Sequence, residues 1–211
     1  MKVKIAYYRE DREIDIPEKN LIGVLRPKEI QPAEDLTACI DQNLDAPIGT
    51  EPFDKLCAGK KNICILVCDL TRPMETDRVL PILLDRIERH APGAKITILI
   101  ALGTHRGLTD EEIDKLCGPG IREKYSVINH AFDDPNALVQ VPCSAEGVPP
   151  VFVNRLLTEC DLRLAVGAVK PHPIFGWSGG AKIVIPGVAG YETTGYSHWL
   201  TCPHKGIEVM G

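Results

Sequence analysis

The sequence predicts an α/β fold: a doubly wound, mostly parallel sheet with a small N-terminal β-hairpin region. Three observations predict it. Apolar segments stand at Asn62–Cys68, Lys95–Leu102 and Leu162–Val166, and the first is a continuous run of the kind found where a parallel sheet is covered on both faces. Segments with apolar residues at helical spacing lie between them. Each run also empties into a loop of glycine, proline, histidine and charged residues, as at the carboxyl ends of strands in an open α/β sheet.

In chain order, Val3, Ile5 and Tyr7 alternate with polar residues, and Ile14 and Ile16 resume the alternation after a polar turn at Arg9–Arg12, which predicts the hairpin, packed on the main body. Leu36, Ile40 and Leu44 follow Pro32 at helical spacing, with Pro32 expected in the first turn. Asn62–Cys68 is the first strong strand, and Pro73 confines Arg72 to extended or turn geometry just beyond it. The segment ETDRVLPILLDRIERH is helical through Val79, Leu83 and Ile87, so Pro81 must sit in its first turn or kink it. After the second strand, Thr109 and Glu112 form a capping box that opens a helix through Cys117, and Gly118 stops it. Val127–Ile128 and Val139–Val141 read as shorter strands, Asn154–Cys160 as a helical turn or two, and Leu162–Val166 as the third firm strand. Ile183–Ile185 is a further apolar run, expected as a short buried strand beside the polar residues from Ala165 to Leu200. No internal repeat or low-complexity linker interrupts the chain, and residues 1–211 read as one domain.

Composition narrows the function. The net charge of -5 is mild and spread along the chain, which argues against nucleic acid and against an anionic membrane surface as partners. No N-terminal apolar h-region and no long apolar run are present. The eight cysteines include no C-x-x-C pair, so a zinc ribbon is unsupported, and a cytoplasmic location with buried thiols fits best.

The loops carry the chemistry. His105 and His172 each follow a strand, and imidazoles with ordinary pKa values near 6.5 move protons at neutral pH; each is equally readable as a hydrogen-bonded structural histidine. Lys182 follows Gly179-Gly180-Ala181, where glycines would let backbone amides approach an anion, but GWSGGAKI lacks P-loop spacing. Desolvation would instead make Lys182 a covalent attachment point. His198 is a metal-ligand candidate without a partner histidine at i, i+4, and Asp69 and Arg72 are readable as a simple ion bridge. His90 and His204, in polar surroundings, are assigned no role.

Together, Asp69-Leu-Thr-Arg72-Pro73, Gly103-Thr-His105-Arg106, Pro171-His172, Gly179-Gly180-Ala-Lys182, Pro186-Gly187 and His198 resemble the nickel-pincer lactate racemase family, over a span from Asp35 to His198. The resemblance implies that Lys182 carries the nickel-pincer nucleotide, a pyridinium-3,5-bisthiocarboxylic acid mononucleotide, through a thioamide. Its two sulfurs and a ring carbon hold nickel, with His198 as the fourth ligand. It implies His105 and His172 as acid/base partners, Arg72 on the substrate carboxylate, and Asp69, Gly179 and Gly180 near the cofactor. The implied reaction is racemisation or epimerisation of a small 2-hydroxy acid, lactate by default, by hydride transfer. An adjacent carboxylate disfavours a carbanion, so the α-hydrogen leaves more easily as hydride. Implied partners are the cofactor-biosynthesis enzymes and a C-terminal domain that this sequence does not contain, so little turnover is expected of this chain alone. Two alternatives stay open: a metal-dependent hydrolase with His105, His172 and His198 on one ion, and a non-catalytic cofactor- or small-molecule-binding domain.

Overall fold

The structure is a computed structural model that describes residues 1–26, 28–72 and 74–203. Pro73 and His204 lie outside the described residues. Met1–Leu36 forms one compact unit and the chain from Thr37 onward forms another.

In the first unit, β1 (Lys2–Tyr7) pairs antiparallel with β2 (Glu10–Asp15), Val3 opposite Ile14 and Tyr7 opposite Glu10. The hairpin is as expected, but its turn is Tyr8-Arg9 rather than Arg9–Arg12. Arg12 belongs to the strand, where its guanidinium lies 5.2 Å from the Tyr7 ring centre, and Tyr8 takes the positive φ of 58° that closes so tight a turn.

The second unit contains α1 (Leu36–Asp45, beginning at the junction), α2 (Phe53–Cys57), β3 (Asn62–Cys68), α3 (Thr76–His90), β4 (Lys95–Ala101), α4 (Asp110–Cys117), α5 (Ile121–Lys124) and β5 (Ser126–Asn129). There follow β6 (Leu138–Val141), β7 (Val151–Asn154), α6 (Leu156–Glu159), β8 (Leu162–Val166), β9 (Pro171–His172), β10 (Gly176–Trp177), a 3-10 turn at Gly180–Ile183, and α7 (Tyr191–Trp199). The main sheet has the order β5-β4-β3-β8, and all its pairings are parallel. The fold class is therefore the expected one.

Alternation along β3 explains the two layers. Ile63, Ile65 and Val67 face a core shared with Leu80, Leu84 and Ile87 of α3 and Ile113 and Leu116 of α4. Cys64 and Leu66 face a second core with Leu99, Leu157, Ile183 and Val188. Fully burying one such aliphatic side chain contributes ~1.5–3 kcal/mol, so both faces of the central strands are strongly specified.

The capping box at Thr109 and Glu112 forms, and Gly118 at φ 94° ends α4. Pro81 sits inside α3, which runs on past it to His90. Pro32 lies ahead of α1, because the apolar stripe begins at Leu36 itself. Ile183–Ile185 is not a strand: Ile183 ends the 3-10 turn and packs on the sheet face, and the backbone turns through Val184 and Ile185, whose amides both donate to Ala181 O. Cys57, Cys64 and Cys117 are buried thiols as expected, but Cys39, Cys143 and Cys202 are exposed.

Candidate active site

The strand order sets where the site lies. The chain steps outward from β3 to β4 to β5 and then returns to β8 on the other side of β3, so the loops after β3 and β8 diverge and leave a crevice at the carboxyl ends. Cys68, Asp69, Arg72, His105, His172, Gly179, Lys182, Thr194 and His198 all line one cleft there, enclosing about 730 Å³ that is partly open to solvent. Gly180 is not among its lining residues; it opens the 3-10 turn behind Gly179.

Parallel pairing of β3 with β4 in register, Cys68 opposite Ala101, puts their following loops side by side. His105 Nδ1 thereby lies 2.6 Å from Asp69 Oδ2. Asp69 is buried, and its other oxygen accepts the Thr71 hydroxyl at 2.6 Å and the Thr71 amide at 3.3 Å. A carboxylate only accepts, so the His105 proton sits on Nδ1 and the lone pair on Nε2. The simple Asp69–Arg72 bridge gives way to this arrangement: the carboxylate is engaged by His105 and Thr71, and the Arg72 guanidinium donates to Thr71 Oγ1 at 3.1 Å.

His172 stands in the β9–β10 hairpin, opposite Gly176. Its Nδ1 accepts the backbone N–H groups of Ile174 and Phe175, each at 3.2 Å. Backbone amides only donate, so the proton of the neutral ring is on Nε2, the reverse of His105. Burial, then the positive charges of Lys182 and Arg72, push its pKa down.

Gly179, at φ 79°, is a position only glycine fits: an added Cβ would lie 3.0 Å from the Ala168 carbonyl oxygen and 3.2 Å from a Val169 methyl. That close approach turns the chain into the 3-10 turn carrying Lys182. The Lys182 amine lies 5.3 Å from the Phe175 ring centre. Burial and then Arg72 push its pKa down, against the opposing pull of Cys68 and Asp69. A larger share of the amine is thus unprotonated and nucleophilic than on a surface lysine.

His198 lies on α7, where Nδ1 donates to the Thr194 carbonyl at 2.7 Å. That bond leaves the lone pair on Nε2, the arrangement of a metal-ligating histidine oriented by a backbone carbonyl. The Thr194 hydroxyl, one turn earlier and lining the same cleft, is buried without a hydrogen-bond partner. Among the described residues, no group of three or more His, Cys, Asp or Glu side chains could hold a metal ion. The three-histidine hydrolase therefore lacks its ligand set. A half-buried amine, one histidine with its lone pair free and an orphaned hydroxyl do fit a bulky group that brings its own soft donors to a metal.

Two features escaped the sequence reading. The Phe175 ring lies 5.7 Å from the His172 ring and 4.8 Å, edge to face, from that of His198. His130 is buried, with Nε2 donating to the Ala189 carbonyl at 2.9 Å and Nδ1 accepting from Asn154 at 3.1 Å. Asn154 also donates its backbone N–H to the Val188 carbonyl at 2.8 Å, so this pair anchors the segment between Lys182 and α7. An isolated histidine carries no sequence signal for such a role.

A parallel α/β sheet with a cleft of histidines, a lysine and an arginine at its switch point defines an open α/β domain with its candidate site at the carboxyl ends of the strands. Within that class the chain belongs to the lactate racemase family: the family profile described as the lactate racemase N-terminal domain matches residues 7–209. It is 36% identical over 159 residues to a lactate racemase of Lactiplantibacillus plantarum, covering 75% of this chain and 37% of that protein. It is 32% identical over 194 residues to a lactate racemase of Thermoanaerobacterium thermosaccharolyticum, covering 90% and 45%. The structure of the lactate racemase apoprotein from T. thermosaccharolyticum superposes with a TM-score of 0.83 at 31% identity, over 92% of this chain and 45% of that one. A Thermotoga maritima protein superposes with a TM-score of 0.65 at 29% identity, over 79% and 41%. The chain thus spans less than half the length of the relatives it matches. No helix among the described residues is long and apolar enough to cross a membrane.

Proposed function

We propose that this chain supplies the cofactor-bearing half of an isomerase, a racemase or epimerase of a small 2-hydroxy carboxylate, with lactate the first substrate to try. The observation that carries the reading is the convergence of Arg72, His105, His172, Lys182 and His198 on one cleft. Lys182 would tether the nickel-pincer nucleotide and His198 would complete the nickel coordination, with Asp69, Gly179 and Gly180 close by. When bound, that group supplies a hydride acceptor for the α-hydrogen. Arg72 takes the substrate carboxylate by a two-pronged contact, which fixes the plane about which the reacting carbon changes face. The two cleft histidines handle the hydroxyl group; a positioned base contributes ~10²–10⁴-fold. Cofactor-making enzymes load the site, and the half of the family fold beyond this chain completes it.

Intact-protein mass spectrometry tests the reading on this chain co-produced with the cofactor-making enzymes. The expected result is an adduct of nickel-mononucleotide size on the wild type and none on Lys182→Ala. An unmodified wild type in cells shown to make the cofactor would overturn it, and an adduct retained on Lys182→Ala would overturn the tether.

A further inference from the structure

We propose that Thr194 is a further ligand-binding residue of the cleft: its hydroxyl donates a hydrogen bond to an acceptor atom of the anionic group that Lys182 and His198 hold. The proposal deepens the reading of the site given above and rests on it.

Two threonines stand side by side in the first turn of α7, and both are buried. The Thr193 hydroxyl accepts the Phe152 amide at 2.9 Å and so fastens the helix to β7. The Thr194 hydroxyl has no partner. Its helical neighbours are already engaged: the Gly190 carbonyl accepts the Thr194 amide at 2.9 Å, and the Thr194 carbonyl accepts His198 Nδ1 and the Ser197 hydroxyl, each at 2.7 Å. A hydroxyl buried without a partner destabilises the fold that contains it. Among the described residues only the Thr76 side chain shares this condition, and Thr76 does not line the cleft, whereas Thr194 does.

The rest of the lining defines what the missing partner is. Arg72 and Lys182 bring positive charge, His172 and His198 stand beside them, and the one carboxylate, Asp69, is engaged by His105 and Thr71. Such a lining favours an anionic occupant, rich in lone pairs. A hydroxyl can both donate and accept, so it meets that occupant as a donor. Threonine in a helix divides between two χ1 positions. A turn of the side chain therefore presents the hydroxyl to the cleft while the Thr194 carbonyl goes on holding His198. The unpaired hydroxyl is then a defect of the empty chain that loading repairs, the exchange of stability for function expected at a binding site.

Urea unfolding of empty and loaded protein, as wild type and as Thr194→Val, tests this. The loaded form is this chain co-produced with the cofactor-making enzymes, its adduct confirmed by mass. Valine matches threonine in shape and lacks the hydroxyl. In the empty chain Thr194→Val should unfold at a higher urea midpoint than wild type, by on the order of 0.5 M. In the loaded chain that advantage should vanish or reverse, because only the wild type gains the hydrogen bond on loading. Thr194→Ser, which keeps the hydroxyl, should gain on loading as the wild type does. Failure of Thr194→Val alone to load, with Thr194→Ser loading normally, would equally support the donor role. A midpoint for empty Thr194→Val equal to or below that of wild type would overturn the proposal, since the hydroxyl would then have a partner inside the protein. So would a valine advantage that survives loading undiminished, and with the adduct present that result leaves the reading of the site intact. A wild type without adduct would overturn that reading and this proposal together.

Discussion

Replacing Arg86 with methionine should cost the larger unit about 2–3 kcal/mol, working from the hydrogen-bond strengths below. The Arg86 side chain is only 7% exposed, and it gathers three aspartates from two other helices: Nε bonds Asp54 at 2.8 Å, Nη1 bonds Asp41 at 3.0 Å, and Nη2 bonds Asp45. These contacts push the pKa of Arg86 further up, with the Asp54 hydrogen bond leading, and that of Asp54 down. A hydrogen bond to a charged group contributes ~1.5–3 kcal/mol when dry. The Asp54, Asp41 and Asp45 carboxylates are 35%, 38% and 64% exposed, however, so solvent screens them and they rehydrate once the guanidinium is gone. About 1 kcal/mol each for Asp54 and Asp41 and about half that for Asp45 is the screened value. Methionine keeps most of the packing and strands no buried charge. For a unit of this size the loss lowers the melting temperature by ~2–4 °C per kcal/mol, so roughly 5–10 °C. Urea unfolding followed by circular dichroism measures it, with Arg78→Met as control, since the Arg78–Glu75 pair is 56% and 68% exposed and worth at most ~1 kcal/mol. The deficit should persist in about 1 M NaCl, because the guanidinium is buried. A loss no larger than that of the control would refute the clamp.

Burial pushes the His130 pKa down, although the Ala189 carbonyl and Asp133 pull the other way. The unfolded chain therefore binds the extra proton first, so this contribution is complete above about pH 6.5 and declines as pH falls below it. Unfolding free energies from about pH 8 to 5 should show a slope that His130→Gln flattens; parallel slopes would assign the loss elsewhere. Gly179→Ala should cost ~1–3 kcal/mol more than an unstrained exchange and exceed Gly180→Ala, because Gly180, at φ 53°, has open space where a Cβ would go. Equal costs in urea titrations would show that the Ala168 contact yields freely. Thr109→Ala removes the capping box of α4 and should lower stability by ~1 kcal/mol; a melting curve identical to wild type would contradict it.

The parallel core was legible because β3 and β4 are driven by local apolar runs that need both faces covered, and the limits of β3 and β8 read directly from the residues. The second half resisted for physical reasons. β7 draws its stability from β6 and from the Val188–Ala189 segment, partners no local pattern reveals. α7, with Gly195 and several hydroxyl residues, has no strong apolar stripe; it is held by Thr193 and Thr194 against the unit, so tertiary packing makes the helix that carries His198. Ile183–Ile185 is apolar because it roofs one face of the sheet, and a roof and a strand look alike over three residues. Asp69 and His105 lie far apart in sequence, yet both follow strands of one predicted parallel sheet, so their meeting was within reach once strand order was known. The orientation of each imidazole was not, since it depends on single hydrogen bonds.

Phe175 has a consequence of a different kind. One ring touches the fields of His172, His198 and Lys182 at once. These three groups therefore share a wall and cannot drift independently. A smaller residue there would let all three move together, and a larger one would crowd all three. Adaptation of this cleft to a bulkier acid would therefore have to proceed around Phe175 rather than through it.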